Sequence, residues 1–197
     1  MRLFVAIEPP AGVLAELGAA VLQLQVAAPE LRWTSSASWH LTLAFLGEVD
    51  ERTLPELSTR LARAARRHPA QLLAIAGGGA FPAPARARVL WAGIRADRRA
   101  VASLAASVAA GARRAGAPPP DEGRRYSPHL TLARSRDPID VARLTAALAD
   151  FRSSEWTARS IHLVRSYPGG GPARYEDVAA WPLTAHPLRA QSRQPGT

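Results

Sequence analysis

The sequence contains no cysteine and no lysine. Without cysteine, the chain cannot form a disulfide, a thiolate nucleophile or a cysteine-ligated zinc or iron–sulfur site. Without lysine, it cannot form the lysyl-adenylate of ATP-dependent nucleic-acid ligases, because that intermediate needs a lysine nucleophile. It also cannot build the phosphate-binding loop that ends in Gly-Lys-Ser/Thr.

Long apolar runs are also missing. The apolar opening at residues 1–7 is interrupted by Glu8 and Pro9, too early for a signal peptide. No run approaches the ~20 apolar residues that cross a bilayer. We therefore expect a cytoplasmic monomer that does not contact a membrane, and the absence of cysteine agrees with a reducing compartment.

The composition is that of an ordinary globular chain. With 197 residues, 47% of them hydrophobic and 21% charged, it suits one domain or two small lobes that share a core. The net charge of +9 suggests a polyanionic partner. However, every basic residue is arginine and alanine is abundant, which is typical of a GC-rich genome. Charge alone therefore leaves two alternatives open, nucleic-acid binding and a generic solvated surface.

Hydrophobic periodicity predicts alternating strands and helices. Runs of β-branched and aromatic residues indicate strands at 2–8, 39–47, 71–76, 88–94, 128–134, 156–165 and 173–181. Apolar residues at every third or fourth position indicate helices after Pro10, after a capping Asp50, over 97–115 and near 140–150. The glycines at 77–79 and the prolines after them predict a turn between two strands.

This order favours an α+β fold with largely antiparallel sheets. We expect residues 1–184 to form one bilobal domain, and residues 185–197 to form a disordered tail, because the chain is polar and contains proline from His186 onward.

A five-residue string occurs twice. His-Leu-Thr-Leu-Ala stands at 40–44 and again at 129–133, each time on a predicted strand that a predicted helix follows. The simplest interpretation is two pseudo-symmetric lobes that face each other across a central cleft.

Each copy of the repeat places a histidine and a threonine on one face of a strand. Side chains alternate along a strand, so His40 and Thr42 share a face, as do His129 and Thr131, with Cα atoms ~6.6–7 Å apart. Ester cleavage at phosphorus needs a base and an acid, and histidine fits both roles because its pKa is near 6.5. Threonine hydroxyls can donate to the phosphate oxygens where charge collects. The residues alone do not decide which histidine is the acid.

Metal binding is the other common use of paired histidines. It is disfavoured here, because neither motif carries an aspartate, a glutamate or a second histidine at ligand spacing. A cyclic phosphate would not require a divalent metal, since ring strain activates it. We therefore expect no metal and no other cofactor.

The chain resembles the LigT-like family of RNA 2',3'-cyclic phosphodiesterases, also named 2'-5' RNA ligases, within the two-histidine phosphoesterase superfamily. Paired His-x-Thr-x motifs define that superfamily. The resemblance covers roughly residues 1–184 and rests on these segments: 2–7, 39–47 and 128–134, together with Tyr175 and residues 181–183.

This resemblance implies a bilobal fold with the active site in the cleft, and metal-independent hydrolysis of the cyclic phosphate to a 2'-phosphate. It implies that His40 is the proton donor and His129 the proton acceptor. The family name also suggests 2'-5' RNA ligation. Because the chain contains no lysine to carry an adenylate, we expect any such ligation to run without ATP, as the reverse of the hydrolytic route.

Family members use an arginine at the position of Arg134 to hold the phosphate. Strict alternation from His129 would point Arg134 away from the cleft, so this role requires a β-bulge or strand twist. Tyr126 would stack a base or fill the junction between the lobes, and Arg125 would contact flanking RNA or lie in solvent.

Two other functions remain open. One is an RNA-end binding module without catalysis, although both histidines and both threonines are present. The other is cleavage of a different cyclic or 2',5'-linked nucleotide.

Overall fold

A computed structural model describes residues 1–120, 126–167, 169 and 174–185. Over these residues the chain forms four α-helices: α1 Ala11–Ala27, α2 Leu54–Ala65, α3 Arg98–Arg114 and α4 Ala142–Ala147. It also forms nine strands: β1 Arg2–Ile7, β2 Arg32–Trp33, β3 Leu41–Glu48, β4 Gln71–Phe81, β5 Ala87–Arg95, β6 His129–Ile139, β7 Trp156–Ala158, β8 Ser160–Tyr167 and β9 Arg174–Pro182.

The strands form two antiparallel sheets. One has the order β3-β1-β8-β9 and the other the order β2-β6-β5-β4-β7. The two repeat strands, β3 and β6, lie in different sheets, and only the two-residue β2 lies outside β6. Each sheet therefore has a repeat strand at one edge or next to it. This matching position gives the two-lobed, pseudo-symmetric α+β arrangement that the repeat predicted.

Local sequence explains the helices. On α3, Val101, Leu104 and Val108 are fully buried, as their spacing of three and four predicts. Asp97 caps this helix by accepting hydrogen bonds from the Arg99 and Ala100 amides at 2.9 and 3.1 Å. Helix α2 contacts both α3 and β9, so these two helices cover the four-stranded sheet.

Two local predictions were wrong. Glycines 77–79 do not form a turn but lie inside β4, which runs on to Phe81. The single strand expected at 156–165 is two strands separated by Arg159, with β7 paired to β4 and β8 paired to β1 and β9. The segment therefore passes from one sheet to the other, which periodicity within a single segment cannot reveal.

One large hydrophobic cluster joins the two sheets. It includes Ile7 and Leu41 from one sheet and Leu90, Leu130 and Leu132 from the other, all at most 2% exposed. The proposed domain at 1–184 stays a prediction, as does the tail, because all of the tail except Ala185 lies outside the described residues. No helix in the described part of the chain is long and apolar enough to cross a membrane.

Candidate active site

The first histidine lies on an aromatic surface. His40 immediately precedes β3, and its ring stacks on Phe4 of β1 at a centroid distance of 4.5 Å and an interplanar angle of 23°. The Tyr175 ring lies nearly perpendicular to the His40 ring, with 5.3 Å between the ring centroids. Thr42 pairs with Ala6, which shares a small buried cluster with Phe4. His40 and Thr42 therefore lie on the same face of the four-stranded sheet, as alternation predicted.

The second histidine occupies the equivalent place on the other sheet. His129 begins β6 and lies beside Phe81, at 5.1 Å between ring centroids, and Trp91, at 6.0 Å. Thr131 pairs with Trp91, so it shares this face with His129. The carbonyl of Ser127 lies 2.7 Å from His129 Nδ1 and accepts its proton. In neutral His129 this leaves the Nε2 lone pair free to act as a base.

A β-bulge turns Arg134 toward the same face. Thr131 pairs with Trp91 but Ala133 pairs with Leu90, so Leu132 is an extra residue in β6. The shift places Arg134 opposite Val89. Val89 and Trp91 are two residues apart on β5, so Arg134 lies on the same face of the sheet as Trp91. Arg134 is also close enough to lower the pKa of His129 electrostatically. The bulge that the arginine's predicted role requires is therefore present, while the role itself stays a prediction.

Thr34 supports this bulge. Its hydroxyl lies 2.9 Å from the carbonyl oxygens of both Thr131 and Leu132, and its amide donates to the Leu132 carbonyl at 2.9 Å. The indole Nε1 of Trp39 donates to the Thr34 hydroxyl at 2.9 Å. Because Trp39 precedes His40, this relay connects the first motif to the bulge in the second.

Tyr126 makes a second connection between the motifs. Its hydroxyl donates to the Thr42 carbonyl at 3.0 Å, and its ring packs against the large hydrophobic cluster. Burial raises the pKa of Tyr126, so the hydroxyl stays protonated and remains a donor. These contacts favour the lobe-junction role over base stacking. Arg125 lies outside the described residues.

Burial disfavours the protonated form of both histidines in the free protein. It lowers the pKa of His40 from 6.5 to about 4. Burial also lowers the pKa of His129, the hydrogen bond to Ser127 opposes that shift, and Arg134 adds to it. In the absence of an anion, both rings are therefore neutral at pH 7.

The depressed pKa of His40 predicts acid sensitivity of the fold. In the unfolded chain this histidine binds a proton near pH 6.5, whereas in the folded chain it does so only near pH 4. Stability should thus fall as the pH drops from 6.5 toward 4, by about 2 kcal/mol between pH 7 and pH 5. Urea unfolding at both pH values should show a smaller loss for His40→Gln than for the unchanged protein. Equal losses would contradict this assignment of the pKa.

A further histidine lies among carboxylates. His162 Nδ1 is 2.9 Å from Asp177 Oδ2 and 4.0 Å from Glu8 Oε2, and its Nε2 is 2.9 Å from the Ser160 hydroxyl. Within the described chain, Glu8, His162 and Asp177 form the group whose geometry could hold a metal ion. Asp177 is hydrogen-bonded to both His162 and Glu8, which accounts for the arrangement, and the group includes neither motif histidine.

Sequence reasoning missed four residues around the motifs: Thr34, Phe4, Phe81 and Trp91. Thr34 follows β2, and the other three lie on strands whose alternation assigns them to a face only after the partner strand is known. The pairing of β5 with β6 and of β1 with β3 depends on contacts between segments far apart in the chain. No local signal identifies them.

The sequence model of the 2'-5' RNA ligase superfamily matches residues 14–170. A Thermus thermophilus protein named RNA 2',3'-cyclic phosphodiesterase is 32% identical over 207 aligned positions, which cover 100% of this chain and 97% of that protein. An Escherichia coli protein of the same name is 30% identical, over 93% of this chain and 97% of that protein. The chain spans about half the length of the relatives of this name from Thermotoga maritima and Geobacillus stearothermophilus.

Solved structures show the same fold. The crystal structure of TT0787 from Thermus thermophilus superimposes with a TM-score of 0.75 at 28% identity and covers 94% of this chain and 99% of that one.

Proposed function

Because the chain belongs to the 2'-5' RNA ligase superfamily, we propose that it is an RNA 2',3'-cyclic phosphodiesterase that opens the cyclic phosphate of an RNA end to a 2'-phosphate. The observation that carries the proposal is the site itself. Two His–Thr pairs lie on equivalent faces of two sheets, and a bulge turns Arg134 to the second pair. This set provides an acid, a base and donors for a phosphate.

His129 is suited to activate water. Its Nδ1 proton is held by the Ser127 carbonyl, so Nε2 can accept a proton from the attacking water. Burial, and to a smaller extent Arg134, lowers the pKa of His129 and so favours its neutral form. Water then attacks phosphorus while the bond from phosphorus to the 3'-oxygen breaks.

His40 is suited to protonate the departing 3'-oxygen once substrate has bound. In the free protein its pKa is about 4, so the ring is neutral. A bound phosphate anion beside the ring favours the protonated form, because opposite charges raise the pKa of a histidine. Substrate binding therefore favours protonated His40, which can then donate its proton to the departing 3'-oxygen. The hydroxyls of Thr42 and Thr131 donate to the non-bridging oxygens, and Arg134 offsets their charge.

Ligation follows from the same scheme with a different nucleophile. The 5'-hydroxyl of a second RNA takes the place of water: its oxygen bonds to phosphorus, the bond from phosphorus to the 3'-oxygen breaks, His129 accepts the 5'-hydroxyl proton and His40 protonates the 3'-oxygen. The strained cyclic phosphate supplies the activation energy. The chain contains no lysine to carry an adenylate, so ligation needs no ATP. Water is far more concentrated than RNA ends, so hydrolysis dominates unless two ends are held together.

One assay tests these points together. The protein and both RNAs are first treated with apyrase to remove ATP; EDTA is then added, RNA ending in a 2',3'-cyclic phosphate is incubated with the protein and a 5'-hydroxyl RNA, and the products are separated. We expect a 2'-phosphate end as the main product and a small amount of 2'-5' joined RNA. A 3'-phosphate product, or turnover only after a divalent metal or ATP is restored, would contradict the mechanism. Binding of the RNA without turnover would instead favour a non-catalytic RNA-end binding module. Turnover of other cyclic or 2',5'-linked nucleotides alone would favour a different substrate.

A further inference from the structure

Two arginines lie opposite each other at the edge of the five-stranded sheet. Arg32, on the short edge strand β2, is the direct antiparallel partner of Arg134 on β6. Directly opposite residues of an antiparallel pair have their side chains on the same face, with Cα atoms ~4.5–5.5 Å apart. Arg134 lies on the face that carries the second motif, so Arg32 lies on that face too.

The residue after Arg32 confirms this orientation. Trp33 pairs with Ala133, packs against the large hydrophobic cluster and donates its indole proton to the Ala28 carbonyl at 2.8 Å. Alternation along β2 therefore turns Arg32 away from the core. Arg32 is exposed, as is Arg134.

No carboxylate offsets this pair of charges within the described residues. Neither guanidinium forms a hydrogen bond or an ion pair there, and Glu30, two positions before Arg32, forms no ion pair with it. Like charges directly opposite each other destabilise a sheet. The pair therefore lowers the stability of the free protein, and an anion bound by the guanidiniums would offset that repulsion.

One cyclic phosphate does not need both arginines. In the proposed mechanism this phosphate carries one negative charge, which Arg134 offsets, and it accepts hydrogen bonds from the two motif threonines. Strand β6 carries both the second motif and Arg134, whereas β2 lies one strand further toward the edge of the sheet. Arg32 is therefore the outer of the two cations, and its charge is available to a second anion.

The proposed substrate has a second anion in one direction only. A 2',3'-cyclic phosphate closes the 3' end of an RNA, so the chain continues through the 5'-oxygen of the terminal ribose. The next phosphodiester along that chain also carries one negative charge. Arginine binds such a group through two parallel N–H donors, which suits the planar guanidinium.

We infer that Arg32 binds the phosphodiester on the 5' side of the terminal nucleotide, while Arg134 binds the cyclic phosphate. This inference rests on the proposed function. It makes the protein favour RNA ends over mononucleotides through charge and not through the base, because a phosphate contact carries no sequence information. The adjoining RNA strand then lies over β2.

Three substrates separate the two phosphate positions. They are adenosine 2',3'-cyclic phosphate, the dinucleotide ApA ending in the same cyclic phosphate, and that dinucleotide with a methylphosphonate linkage, which keeps both nucleosides and removes the charge. Each is assayed with the unchanged protein, Arg32→Gln, Arg32→Lys and Arg143→Gln. Arg143 is the matched control, because it is an exposed arginine on α4, a helix that carries no motif residue.

The unchanged protein should have a lower KM for the charged dinucleotide than for the other two substrates. We expect Arg32→Gln to raise that KM about 10-fold, as when a hydrogen bond to a charged group is lost. Its KM for the mononucleotide and for the methylphosphonate should stay unchanged, as should kcat for all three. Arg32→Lys should keep most of the affinity, since lysine still offers a point charge to a phosphate.

The salt dependence gives a second readout. For the charged dinucleotide, the slope of log kcat/KM against log salt concentration should become shallower by about 0.7 in Arg32→Gln, which is the share of one phosphate contact with a single strand. The slopes for the mononucleotide and the methylphosphonate should not change. Arg143→Gln should leave every KM and every slope as in the unchanged protein.

An equal rise in KM for all three substrates with Arg32→Gln would show that Arg32 acts on the cyclic phosphate or through Arg134, and would overturn the inference. No rise for any substrate would leave Arg32 a solvated cation and overturn it as well. A loss of the same size with Arg143→Gln would show a general effect of charge, with the same consequence. If the unchanged protein turned over none of the three substrates, the proposed function itself would be contradicted, and this inference with it.

Discussion

Replacing either His40 or His129 with alanine is expected to lower kcat on a 2',3'-cyclic phosphate by about 10²- to 10⁴-fold, while the fold is retained. Each imidazole performs a different proton transfer in the proposed mechanism, so neither can replace the other. The two rings lie on different sheets, each with its own aromatic neighbours. The double variant should lose little more than the worse single variant, because groups that act in one step are not additive.

The matched control is His162→Ala. This histidine is also partly buried and hydrogen-bonded, but to Asp177 and Ser160 and not within a motif. It should keep near-normal kcat. Circular dichroism and thermal unfolding of all three variants separate loss of chemistry from loss of fold. A His40→Ala or His129→Ala protein with kcat near that of the unchanged protein would show that the altered histidine takes no part in proton transfer.

Substitution of the motif threonines is expected to cause the second largest loss of kcat. Thr42→Val and Thr131→Val keep the branched shape and remove one hydroxyl each, so we expect kcat to fall on the order of 10- to 10³-fold, as when an oxyanion donor is removed. KM should change less, because the donated bonds strengthen as charge builds on the phosphate oxygens.

Thr157→Val is the corresponding control, since Thr157 is exposed on β7 and away from both motifs. Steady-state kinetics at substrate concentrations above and below KM distinguish the two constants. If kcat and kcat/KM were unchanged in both motif variants, Thr42 and Thr131 would be strand-forming residues only.

Much of the site could be predicted from local sequence. The two identical motifs identified His40, Thr42, His129 and Thr131, and alternation along a strand placed each pair on one face. The structure has both pairs in that arrangement. The helices were predictable for a similar reason, since a buried stripe repeats every three or four residues, as it does on α3.

Arg134 shows where local reasoning stops. Strict alternation along the strand predicts that the Arg134 side chain lies away from the cleft, whereas the resemblance to the family predicts that it lies in the cleft. The extra residue Leu132 reconciles the two, and Thr34 stabilises that bulge from nearly 100 positions earlier in the chain. A bulge depends on the pairing of two strands and on its supporting hydrogen bonds, which are not encoded within one strand.

By itself, the sequence determined the chemistry available to this protein: paired histidines and threonines on strands, with no thiol and no lysine. These properties follow from residue identity and from the two-residue period of a strand. Only the tertiary structure decided which surfaces meet. It placed glycines 77–79 inside a strand, divided residues 156–165 between two sheets, and laid Trp91 over Gly79 beside His129. Those outcomes depend on strand register, which is set by contacts between distant segments and not by any local pattern.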